Sequence, residues 1–86
     1  MEEMRKQMKR LMKAVEPEAH TSLDCEMSTF SRAAGISVVE KYIAYIGPNY
    51  NHKRPGIIRR SESPSWAVDA VVDEYNAFEK FRKENA

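Results

Sequence analysis

The chain of 86 residues has one cysteine, three glycines and one tryptophan. It has no apolar run long enough to cross a membrane or to form the core of a secretory leader. A lone thiol, Cys25, cannot close an internal disulfide, so stability has to come from burial, and Cys25 is expected to be a small half-buried hydrophobe. These absences point to the cytoplasm. Gly35, Gly47 and Gly56 stand far apart and each is placed to serve a turn, which excludes a glycine-rich phosphate loop. His20, Cys25 and His52 lack the paired spacing of a zinc site. His20 with Asp24 and Cys25 has neither a third orienting group nor an oxyanion donor. No catalytic residue, metal or cofactor is therefore expected, and the chain does not read as an enzyme. Charge of one sign is missing too: 14 Lys and Arg against 13 Asp and Glu leave a net charge of +1, which excludes a protein that coats nucleic acid by bulk electrostatics.

What the chain does have is 42% hydrophobic and 31% charged residues, the composition of a small globular domain with room for one core and an appended helix. In the first segment Met1, Met4, Met8, Leu11 and Val15 recur at 3-4-3-4 spacing, an amphipathic helix over 1–16 that ends where Glu16 precedes Pro17. Its seam can pack on its own domain, join a homodimer, or enter a partner's groove through Met4, Met8 and Leu11. Arg5, Lys6, Lys9, Arg10 and Lys13 form its charged remainder, read as a solvated face or as phosphate contacts.

After a linker at 17–20, the spacing predicts a compact unit over 21–86. Thr21 with Asp24 fits a capping box, and Leu23, Met27, Phe30 and Ala34 follow at helical spacing up to Gly35. Ser37 with Glu40 fits a second box, and Val39, Tyr42, Ile43 and Ile46 then share a helical face before Gly47-Pro48. The Val, Ile and Tyr content of 38–46 equally suits a strand, with Val39, Lys41, Ile43 and Tyr45 alternating. Arg54-Pro55-Gly56-Ile57 has the residues of a type II turn. Residues 50–53 and 57–61 on either side then pair as a small basic hairpin or remain a loop. Ser63-Pro64 opens a last helix to about Lys83, with Val68, Val71, Val72, Tyr75, Phe78 and Phe81 on its apolar stripe and Trp66 expected in the core. Asp69, Asp73, Glu74 and Glu79 are expected to face water.

The fold class expected is mainly α: a small helix-turn-helix-like domain with a two-stranded β wing and an N-terminal amphipathic helix. With Phe30-Ser-Arg-Ala-Ala-Gly35-Ile-Ser37 at its centre, the stretch from Leu23 to Phe78 resembles winged helix-turn-helix DNA-binding domains, such as those of small phage excisionases and regulators. The resemblance implies a regulator that binds double-stranded DNA. The segment in the place of a recognition helix, 38–46, has only Lys41 and Glu40 as charged groups, so phosphate and minor-groove contacts by Arg32, Lys41, Lys53, Arg54, Arg59 and Arg60 would carry the affinity. The apolar surplus of the same segment supports the alternative, a small protein-binding module or inhibitor that presents Tyr42, Tyr45, Tyr50 or the methionine helix to a partner protein.

Overall fold

The computed structural model describes the backbone of residues 2–32 and 35–85 and the side chains of residues 2–27 and 40–85. Helix α1 (Glu2–Ala14) is followed by strands β1 (Thr21–Arg32), β2 (Gly35–Ile46) and β3 (Ile57–Ser61) and by helix α2 (Pro64–Glu84). The three strands form one antiparallel sheet in the order β1-β2-β3. This is an α+β fold, and it overturns the mainly α, helix-turn-helix-like expectation.

The correction falls on residues 21–46. Both segments expected as helices are strands, paired from Thr21↔Ile46 to Arg32↔Gly35. Gly35 opens β2 and does not break a helix; Ala34, assigned to the same turn, lies outside the described residues. The cause is β2, whose Ile36, Val38, Val39, Tyr42, Ile43, Tyr45 and Ile46 are branched or aromatic residues that pack well on a pleated surface. The strand reading of 38–46 therefore holds. β1 has few such residues and follows its partner, so the tertiary pairing overrides the two local capping boxes. The wing is corrected as well: 57–61 pairs with β2, from Ile46↔Ile57 to Tyr42↔Ser61, and not with 50–53. Residues 50–53 instead make a tight turn closed by Lys53 N–H donating to Tyr50 O at 3.2 Å, with Lys53 at φ 55° and a bridge from Asn49 to Arg54 at its base.

The core lies between one face of the sheet and the two helices. Leu11, Ala44, Ile46, Ile57, Ala67, Val68, Val71 and Tyr75 are buried together, with Met8, Val15, Leu23, Tyr42 and Val72 packed at the margin. The alternation along β2 explains the choice of face: Ala44 and Ile46 point under the helices, and Tyr45 between them does not join the core. Leu11 has no exposed surface, so α1 belongs to the same core as residues 21–86 and is not an appendage. The last helix starts at Pro64, as its sequence signal predicts, and Ser63 precedes it in extended conformation. The Ser63 hydroxyl meets the Ser65 hydroxyl at 2.9 Å and caps no backbone N–H. Trp66 and Phe81, expected on the apolar stripe, are instead exposed, at 67% and 63%.

Candidate interaction surfaces and the buried Arg54 cluster

The strongest electrostatic feature joins the linker, the loop after β2 and α2. Arg54 has a fully buried side chain. One guanidinium nitrogen donates to Glu16 Oε1 at 2.7 Å, the other donates to the carbonyl of Gly47 at 2.8 Å, and Cζ lies 4.9 Å over the ring of Tyr75. Tyr75 donates its hydroxyl to Glu16 Oε2 at 2.5 Å, and Asn49 Nδ2 donates to Glu16 Oε1 at 2.9 Å. Glu79, 3.6 Å from the Arg54 guanidinium, also meets His52 Nδ1 at 3.4 Å and accepts from Arg82 at 2.7 Å.

The titration of these groups follows from that geometry. Burial opposes the charge on Glu16, but the hydrogen bonds from Tyr75, Asn49, its own backbone and Arg54 outweigh it and hold the carboxyl at about 2. Burial and the Glu16 carboxylate together push Tyr75 up to about 12. Glu79 is also held below its ordinary value, because Arg82 and His52 outweigh its burial. With both acids ionised and paired, the cluster acts as a clasp. It fastens residues 16 and 47–54 to α2 beside an open cleft of about 410 Å³ lined by Glu16, Glu18, Asn49, Tyr50 and His52. Among the described residues no group of three His, Cys, Asp or Glu side chains could hold a metal ion.

The residues expected to meet DNA do not form one surface. Arg54 is in the clasp, with no side-chain surface to offer a phosphate. Arg59 of β3 is held in an ion pair with Glu74 of α2. Lys41 and Arg60 are exposed on different strands, Lys53 is exposed in the 50–53 turn, and the side chain of Arg32 lies outside the described residues. A denser basic surface is on α1, where Arg5, Lys6, Lys9 and Lys13 are all exposed and, among the described residues, in no ion pair. Their neighbour Arg10 is anchored to Asp69 at 2.5 Å and to the Ser65 carbonyl at 2.9 Å.

The residues expected to meet a partner protein also divide. Leu11 is buried in the core, and Met4 and Met8 are half-buried, so the seam of α1 faces its own domain. Tyr42 packs at the core margin, and Tyr50 stands 86% exposed on its turn. Tyr45 lies on the sheet face that carries no helix, edge-on to His20 at 6.0 Å, directly across from Ile58, which is 50% exposed. Beyond the end of β3 at Ser61↔Tyr42, strands β1 and β2 continue as a two-stranded ribbon from Glu26↔Lys41 to Arg32↔Gly35. Its described base exposes Met27 at 65% and also Cys25, contrary to the half-buried thiol expected.

The sequence reading missed the clasp because its members are scattered over 16–79. Glu79 in particular falls on the side of α2 that looks solvent-facing by charge alone, yet only 13% of its side chain is exposed. The ribbon was missed because its residues also fit a helical spacing. Comparison with protein-family models, with curated protein sequences and with solved structures finds no match to this chain.

Proposed function

We propose that the protein is a small protein-binding module that engages its partner through the β1–β2 ribbon and the helix-free face of the sheet. The observation that carries this reading is the ribbon itself, which runs past β3 with Met27 and Cys25 exposed at its base. Two antiparallel strands alone are marginally stable in water, so a ribbon of this length gains from a surface that covers it. Exposed Met27 is a residue type that interfaces favour, and Ile58, half exposed beside the half-buried Tyr45, adds apolar surface on the opposite face of the sheet.

The test is affinity recovery with the full chain as bait, comparing wild type with a Met27→Lys, Ile58→Lys variant whose thermal unfolding is checked first. A partner recovered in stoichiometric amount by wild type and lost with the folded variant is the expected result. Equal recovery by both, or recovery of neither another protein nor an untagged second copy of the chain, overturns the reading.

A second reading, a DNA-binding regulator that works through phosphate contacts, rests on the exposed cations of α1. Over Arg5 to Lys13 that helix rises about 12 Å, enough to face several phosphates of a duplex. Anisotropy of a labelled random duplex across a salt series tests it. Binding that weakens steeply with salt, and that disappears on reversal of Lys6 and Lys9, supports the reading; no binding at low salt ends it.

A further inference from the structure

We infer that the outer edge of β1 is a docking site for a second copy of this chain, the two β1 strands pairing antiparallel about a two-fold axis. The inference rests on the protein-binding reading and identifies its partner.

The sheet has two edges, and they are guarded very differently. β3 has five residues, two of them Arg59 and Arg60, and Arg59 is tied to Glu74. Short length and charge are two of the devices that keep an edge from recruiting another strand. β1 has 12 residues, about twice the usual strand length. It contains no proline and no lysine, and its pairing with β2 runs from Thr21 to Arg32 without a bulge. A row of backbone N–H and C=O groups along β1 therefore faces outward over a long strand whose charges, Asp24, Glu26 and Arg32, are of both signs and can pair across an interface. Past Glu26 this open edge belongs to the two-stranded ribbon, the part of the sheet that gains most from further strands.

The occupant follows from length and from the order of charges. A copy of β1 offers an edge of the same length, so the outward groups of one chain can meet those of the other over most of the strand. Along the strand the acids come first, Asp24 and Glu26, and the base last, Arg32. An antiparallel copy sets the acidic end of each strand against the basic end of the other, whereas a parallel copy would set like against like. Placing Ser28 of one chain opposite Ser28 of the second puts Asp24 opposite Arg32 in both directions and pairs Asp24 through Arg32 of each. Such an interface is isologous. It covers both open edges from Asp24 to Arg32, leaves only the short Thr21–Leu23 ends and the two guarded β3 edges, and so stops at a dimer.

Light scattering on the full chain, together with cysteine cross-linking, decides the matter. The expected result is a concentration-dependent species of twice the chain mass. Asp24→Arg and Arg32→Asp should each weaken it at least tenfold, and the double exchange should restore it. In a Cys25→Ser background, Ser28→Cys should cross-link at the axis under mild oxidant, with directly opposed Cα atoms within disulfide range. The native Cys25, several residues off the axis, should not. A chain that stays monomeric up to hundreds of micromolar overturns the inference, as does a dimer indifferent to both charge variants and not cross-linked at 28. If the monomer still recovers another protein through Met27 and Ile58, the protein-binding reading survives without it; if it recovers none, both fail.

Discussion

The guanidinium of Arg54 donates to Glu16 at 2.7 Å from a side chain with no exposed surface, and in doing so ties the chain just after α1 to the loop before β3. Because Glu16 would be left charged and partly buried without it, Arg54→Met is expected to destabilise the fold by about 3–5 kcal/mol. Lysine offers one charge where Arg54 reaches both Glu16 and the Gly47 carbonyl, so Arg54→Lys should recover only part of the loss. Urea denaturation of the two variants beside wild type measures both effects.

The clasp also sets the pH limits of the fold. Glu16 titrates at about 2 in the folded chain, below its ordinary 4.5, so its contribution is complete above pH 4.5 and is lost as pH falls through 2. Glu79 is shifted in the same direction and adds to the acid limb. Tyr75 is shifted the other way, from 10 to about 12, and its contribution is complete below pH 10 and lost as pH rises through 12. In a Tm-against-pH profile, Glu16→Gln should flatten the acid limb and Tyr75→Phe the alkaline one.

Neighbouring positions on α1 should differ sharply. Leu11 fills the core and Met12 is 56% exposed. Leu11→Ala is expected to cost about 2–5 kcal/mol, and Met12→Ala to stay within about 0.5 kcal/mol. Equal, small effects in chemical denaturation would mean that α1 is an appendage after all.

Trp66 gives a direct optical check on the placement of α2. At 67% exposure it should emit as a solvated indole and be quenched efficiently by acrylamide in the folded protein. Trp66→Phe should change stability by no more than about 0.5 kcal/mol. A blue-shifted, protected emission would return Trp66 to the core, where its sequence position suggests it.

These contrasts show which parts of the molecule its sequence expresses. The two terminal helices were legible because proline and apolar spacing agree there, at Glu16-Pro17 and at Ser63-Pro64. Residues 21–46 were not, because Leu23, Met27 and Phe30 fit a helical stripe while the branched residues of β2 fit a strand. Only pairing across the hairpin decides between them, and that is a non-local term. Arg54 is a similar case. An arginine beside Pro55-Gly56 reads as an exposed turn residue, and what buries it is Glu16, Tyr75 and Glu79, each far away in sequence. The site is less legible than the fold for the same reason: an open strand edge is defined by which strands are adjacent, and no local pattern states that.

The measurement that tests the β1 docking site most directly is residue-resolved amide exchange along β1 as a function of protein concentration. At low concentration only the alternate amides that face β2 should be protected. At high concentration both sets should be slowed from Asp24 to Arg32, while Ile57–Ser61 of β3 keeps an exposed outer set throughout. Outward amides of β1 that exchange at the same unprotected rate at every concentration would contradict it.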